Sequence, residues 1–134
     1  MCDLTVTVDA AGTASDERRV RTAFREVRVR EWRWSINGEE LFVMGTNLAP
    51  TRALPATATP DELARDISLA REANLDLVRI HAHVARPELY DAADAAGLLV
   101  WQDLPLQWGY ARSVRRSAVR QARDMVDQIG RAHV

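Results

Sequence analysis

Residues 77–105 read LVRIHAHVARPELYDAADAAGLLVWQDLP, and the fold turns on them. Leu77–Ile80 is a short apolar run interrupted by Arg79, and Leu98–Trp101 is a second. Between them Pro87 opens a helix whose apolar residues Leu89, Ala93 and Ala96 recur at i, i+4 and i+7. Gly97 stands where a left-handed C-cap is wanted. Strand, helix and strand in so short a stretch predict a βαβ unit with its strands parallel in one sheet. Side chains alternate along a strand, so Leu77, Arg79 and His81 share one face while Val78 and Ile80 take the other. In the second strand Leu99, Trp101 and Asp103 share a face. Parallel α/β sheets gather ligands beyond the carboxyl ends of their strands. Arg79, His81, His83, Trp101, Gln102 and Asp103 all fall in that zone.

Upstream of this unit, Thr59-Pro60-Asp61-Glu62 is a helix start, with Thr59 as N-cap, Pro60 at N1 and Glu62 placed to reach back to the Thr59 amide. Leu63, Ile67 and Ala70 form that helix's apolar stripe, and Asn74 suits its C-cap. A loop rich in Pro, Thr and Ala, from Leu48 to Ala58, precedes it. Asn37-Gly38 favours positive φ in a two-residue hairpin between Trp32–Ile36 and Leu41–Met44, and the second strand is expected to run on into Gly45-Thr46-Asn47. Leu4–Val8 alternates as a half-buried strand and ends in the polar turn AAGTASDE. Val20–Val29 resumes the alternation with neither face cleanly apolar, the mark of a bulged or edge strand. Downstream, a loop holding Trp108 and Tyr110 leads to a helix from about Ser113 to Gln128. Val114, Ala118, Ala122 and Met125 line one side of it, opposite Arg112, Arg116, Arg120 and Arg123.

Bulk properties exclude several function classes. The chain has 134 residues, 47% hydrophobic content and a net charge of −1, the profile of a folded globular protein. Every one of its 18 basic residues is Arg. The arginine face of the last helix is the one feature that suggests nucleic acid, and a solvated helix face explains it in a chain that is not basic overall. A nucleic-acid partner is therefore not expected. No apolar run is long enough to span a bilayer, so no membrane partner is expected either. The single Cys2 leaves no internal disulfide framework and no thiol zinc site.

The pieces FVMGTNLAP, LVRIHAHV, ELYDAADAAGLLVWQDLP and QWGY together resemble the opening of the catalytic barrel of glycoside hydrolase family 2. The G-x-N-x-x-P and W-Q-D strand ends are similar to those of its β-mannosidase-like members. TAFREVRVREWRWSINGEELF resembles the junction between that family's immunoglobulin-like domain and its barrel. The resemblance implies an α/β fold: a partial (β/α)8 TIM barrel, its first three β/α units, preceded by the last strands of an immunoglobulin-like β-sandwich. It divides the chain into residues 1–30 from the sandwich and 31–128 from the barrel, and residues 129–134 read as a non-native tail. That tail, IGRAHV, matches a translated sequencing adapter, so His133 carries no functional weight. A complete barrel takes about 250 residues, so the resemblance implies that this chain is part of a longer enzyme.

That enzyme would be a retaining exo-glycosidase acting on a terminal sugar without metal or organic cofactor. β-Mannosidase-like activity comes first, ahead of β-galactosidase and β-glucuronidase types. Retaining glycosidases need two carboxyls about 5 Å apart. The resemblance places the acid/base and nucleophile Glu residues beyond the C-terminus of this chain, so no catalytic residue is expected within it and the chain alone should be inactive. The residues expected to bind carbohydrate are Arg79, His81, His83, Asn47, Trp101, Asp103 and Trp108. A fixed Arg79 cation would keep a nearby nucleophile carboxylate ionised. The histidines and Asp103 would touch sugar hydroxyls, and Trp101 or Trp108 would stack on a pyranose face. Leu48 and Arg52 depart from the aromatic and acidic residues that β-mannosidase-like members tend to carry there.

Plainer alternatives stand beside each. Arg79 would serve as a structural salt bridge, the tryptophans as core, and His81-x-His83 as packing or as a metal pair of a metal-dependent barrel hydrolase. A small non-catalytic binding module is the third class of reading, and it requires the chain to unfold cooperatively as a monomer.

Overall fold

The computed structural model describes residues 2–10, 12–106 and 109–129. Its elements form a two-stranded antiparallel sheet, a three-stranded antiparallel sheet and a three-stranded parallel sheet with helices.

The first sheet pairs β1 (Cys2–Ala10) with β2 (Thr13–Thr22), from Cys2 opposite Thr22 to Ala10 opposite Thr13. Gly12, at φ +81°, supplies the positive φ of the reversal. The polar stretch expected as a long turn is therefore mostly strand, because ladder hydrogen bonds are made by backbone whatever the side-chain polarity. A bulge does occur, but nearer the start of β2, where Ser15 is the extra residue opposite the step from Val8 to Asp9. The expected single strand over Val20–Val29 is instead broken between Thr22 and Val27. At the break, Asn37 Oδ1 accepts from the Glu26 N–H, while the Asn37 N–H donates to the Glu26 carbonyl. The Asn37 amide thus takes the place of a further ladder rung.

The second sheet runs β3 (Val27–Arg30), β4 (Arg33–Ile36), β5 (Glu39–Leu41). Asn37 and Gly38 turn β4 into β5 at φ +52° and +86°, as the dipeptide predicts. The expected continuation of β5 into Gly45–Asn47 does not occur: β5 stops at Leu41, and β6 (Gly45–Leu48) joins the parallel sheet. Two contacts draw it there. Asp76 accepts the Met44 N–H on its carboxylate and returns its own N–H to the Met44 carbonyl. Gly45 lies so close to the next strand of that sheet that a β-carbon would stand 2.9 Å from the Leu77 carbonyl oxygen.

That parallel sheet has the order β6, β7 (Leu77–Ile80), β8 (Leu99–Gln102). The crossovers are α1 (Pro60–Glu72) and α2 (Pro87–Ala96), packed on each other. The Thr59–Glu62 capping box forms as the sequence predicts, and Gly97 ends α2 at φ +69°. Ala73, not Asn74, is the C-cap of α1, and Asn74 takes the following left-handed position at φ +57°. Leu63, Ile67 and Ala70 of α1, Val78 and Ile80 of β7, and Leu89, Tyr90 and Ala93 of α2 form one buried cluster with Leu98. Each such side chain contributes about 1.5–3 kcal/mol when fully buried, less for Ala.

After a 3₁₀ turn at Arg112–Val114 comes α3 (Arg115–Ile129), whose inner positions are Ala118, Ala122, Met125 and Ile129. Val114 stays exposed, because the 3₁₀ turn takes it off the stripe. Ile129, assigned to the tail on sequence, closes α3 and is buried in the core cluster. Residues 130–134, with His133, lie outside the described residues.

Candidate functional site

Parallel pairing places Asn47, Arg79 and Trp101 side by side on adjacent strands, in one row across one face of the sheet. The ladder carries past the strand ends, where the His81 N–H donates to the Leu48 carbonyl and the Asp103 N–H to the Ile80 carbonyl. His81 and Asp103 therefore follow Arg79 and Trp101 on the same face, one step nearer the open end.

Asp103 is the hub. The Arg79 guanidinium donates to both carboxylate oxygens, Nε to Oδ1 at 3.1 Å and Nη2 to Oδ2 at 2.8 Å. His81 Nδ1 lies 3.1 Å from Oδ2, and the Ala82 N–H adds a backbone donor. A carboxylate only accepts, so His81 carries its proton on Nδ1. The Arg79 fork holds the Asp103 carboxyl below its ordinary range, helped by His81 and the Ala82 amide against partial burial. The Arg79 guanidinium carbon also stands 5.9 Å from the centre of the Trp101 ring, within cation–π range.

His83 does not share this hub. Its Nδ1 donates back to the His81 carbonyl at 3.0 Å, which the left-handed backbone of Ala82, φ +59°, makes possible. Asn47 is exposed at its place in the row. Trp108 lies outside the described residues.

Two features were not singled out from the sequence. Trp34 on β4 reaches the site, its ring centroid 6.3 Å from that of Trp101 at a 47° tilt. The two rings, with Val43, Thr46, Asn47 and Arg79, line an open cavity of about 450 Å³. Gln102, beside Asp103, is bonded to Tyr90 at 2.7 Å and to the His83 and Asp103 carbonyls at 2.7 Å each. Trp34 left no signal in the sequence, since its sheet is separate from the parallel one. Gln102 was legible only as a polar residue at a strand end.

Aromatic faces beside a fixed cation, an amide and an imidazole suit a polyhydroxylated ligand, which offers both apolar ring faces and hydroxyls. Asp103 is the carboxylate of this cluster, and Arg79 occupies both of its oxygens, so it is not one of a free acid and nucleophile pair. Among the described residues no group of three or more His, Cys, Asp or Glu side chains could hold a metal ion.

No family model matches the chain. It is 26% identical to the β-mannosidase of Capra hircus over 140 aligned positions, covering 90% of this chain and 16% of that protein. With the β-galactosidase of Photobacterium profundum it shares 27% over 101 positions, covering 75% of this chain and 10% of that one. The crystal structure of Parabacteroides merdae β-glucuronidase superposes with a TM-score of 0.76 at 22% identity, over 98% of this chain and 16% of that structure. The resemblance to glycoside hydrolase family 2 seen in the sequence is thus matched by similarity to named glycosidases and by a shared fold. The chain spans about a sixth of the length of the β-mannosidase it matches.

Proposed function

We propose that this chain is part of a retaining exo-glycosidase that releases a terminal sugar, of β-mannosidase-like type. In this reading the parallel sheet is the first three strands of a (β/α)8 barrel, and β1 and β2 are the last strands of an immunoglobulin-like sandwich. The observation that carries it is the row Asn47, Arg79, Trp101, with Asp103 and His81 at its open end, on three adjacent parallel strands. Similarity to β-mannosidases and β-galactosidases supports the same class. The substrate is a glycoside, the described residues form part of its binding wall, and the acid/base and nucleophile Glu residues are supplied from outside this chain.

The metal-dependent alternative has less support. Arg79 places a fixed cation on the carboxylate that His81 also engages, and a metal ion there would meet charge repulsion.

The test is to sequence the genomic DNA across codon 128, express the full reading frame found there, and assay it. The substrates are nitrophenyl β-D-mannoside, β-D-galactoside and β-D-glucuronide, with proton NMR following the anomer released. The expected result is hydrolysis of one substrate with retention, and none by the 134-residue chain. A frame that encodes no further strands, or a longer protein that cleaves none of the three, overturns the reading. Activity lost to a chelator and restored by zinc would transfer it to the metal-dependent class.

A further inference from the structure

Gln102 has each polar end of its amide committed, and the directions are forced. Nε2 donates to the His83 carbonyl and to the Asp103 carbonyl, 2.7 Å each. Carbonyl oxygens only accept, so the amide has one orientation, with Oε1 turned to the Tyr90 hydroxyl at 2.7 Å. Tyr90 therefore spends its proton on Gln102, and its hydroxyl oxygen accepts from the Ala85 N–H at 3.2 Å. The tyrosine ring is buried in the core cluster, 6% exposed, so this chain of bonds is anchored in the core.

The segment it grips needs holding. Ala82, between the two histidines, sits at φ +59°, a conformation that residues with a β-carbon adopt only where the surroundings impose it. On one side the Asp103 carboxylate takes the Ala82 N–H and His81 Nδ1. On the other, Gln102 and Tyr90 take the His83 carbonyl and the Ala85 N–H.

From this we infer that Tyr90 and Gln102 are positioning residues: a relay that fixes the backbone of residues 82–85 and so aims His81 and His83 at the ligand. Its effect on substrate rests on the glycosidase reading; its effect on the loop does not.

Two measurements separate these. Hydrogen–deuterium exchange by mass spectrometry on the 134-residue chain compares wild type with Tyr90→Phe, which keeps the ring and removes only the hydroxyl. Exchange in residues 82–86 should quicken by about tenfold while that in α1 stays unchanged, as expected when a local tether rather than the fold is lost. Equal exchange of that segment in both proteins, including a segment unprotected in wild type, overturns the relay whatever the activity proves to be. In the longer enzyme, Tyr90→Phe and Gln102→Glu, the latter placing an oxygen against two carbonyls, should each raise KM by about tenfold with kcat within about twofold. Unchanged KM beside quickened exchange overturns the aiming of the histidines. Quickened exchange with a wild type inactive on every glycoside leaves the relay standing and fails the glycosidase reading alone.

Discussion

Asp103 receives two bonds from Arg79, one from His81 and one from the Ala82 amide, and a carboxylate so occupied acts by holding its donors in place. Asp103→Asn preserves the shape, but it removes the charge and sets an NH2 against a donor. Arg79 is partly exposed, so solvent limits the penalty. The expected cost is about 1–2 kcal/mol, read as a lowered urea midpoint. Because the folded carboxyl lies below its ordinary range, its contribution is present above the usual carboxylate pKa and is lost as pH falls through the depressed one. The gap between wild type and Asp103→Asn should therefore narrow on acidification. A gap constant down to strongly acid pH would mean that Arg79 does not hold the charge. The common zone of these side chains was legible in the sequence, but not their pairing, since Asp103 is separated from Arg79 by 24 positions. The sequence placed both on adjacent strand ends. Only the register, Arg79 opposite Trp101, makes Asp103 its diagonal neighbour.

Elements whose determinants are local were legible. The N-terminus of α1 is fixed by Thr59 Oγ1, which accepts from the Glu62 N–H, and by Glu62, which accepts from the Thr59 N–H at 2.9 Å. What the sequence hid is Arg52, whose guanidinium forks onto the Glu62 carboxylate at 2.6 to 3.0 Å. That pair fastens the loop before the helix to its cap. The residue that departs from the β-mannosidase-like pattern thus has a structural partner here. Arg52 first, and then the Thr59 amide, lower the Glu62 carboxyl to about 2. Thr59→Ala should cost about 1 kcal/mol of stability, as lost N-caps do. Glu62→Gln keeps the capping bond and removes the titration. A lowered folded pKa gives stability that is present above the ordinary glutamate value of 4.5 and is lost as pH falls toward about 2. Wild type should lose more stability than Glu62→Gln across that window, followed by the circular dichroism of the helices. Parallel losses in the two proteins would show that the Arg52 pair is open in solution. The break between β5 and β6 was not legible for a related reason. Phe42 to Met44 suits a strand locally, and the Asp76 contacts that detach β6 come from beyond α1.

At the scale of the molecule, the two faces of the parallel sheet differ. Val78 and Ile80 are fully buried against the helices, while the opposite face carries Trp101 at 44% exposure beside Arg79 and Asn47. Parallel sheets occur almost only with both faces covered, and an uncovered one exposes apolar surface and two strand edges for pairing. The described residues add more of the same: Leu4, Val6 and Val8 along one side of β1, about half exposed, and Phe24 and Phe42 at 83% and 89%. Apolar surface on this scale marks an interface rather than a solvated exterior. The 134-residue chain is therefore expected to self-associate at micromolar concentration. Sedimentation velocity under reducing conditions, which keep the exposed Cys2 from linking chains, should show species heavier than the monomer. Trp101→Glu, placing a charge on the open face, should shift the distribution toward monomer without disturbing the helices packed behind it. A wild-type chain that sediments as a single 15.0 kDa species and unfolds in one cooperative step would contradict this, and would favour the small binding module instead.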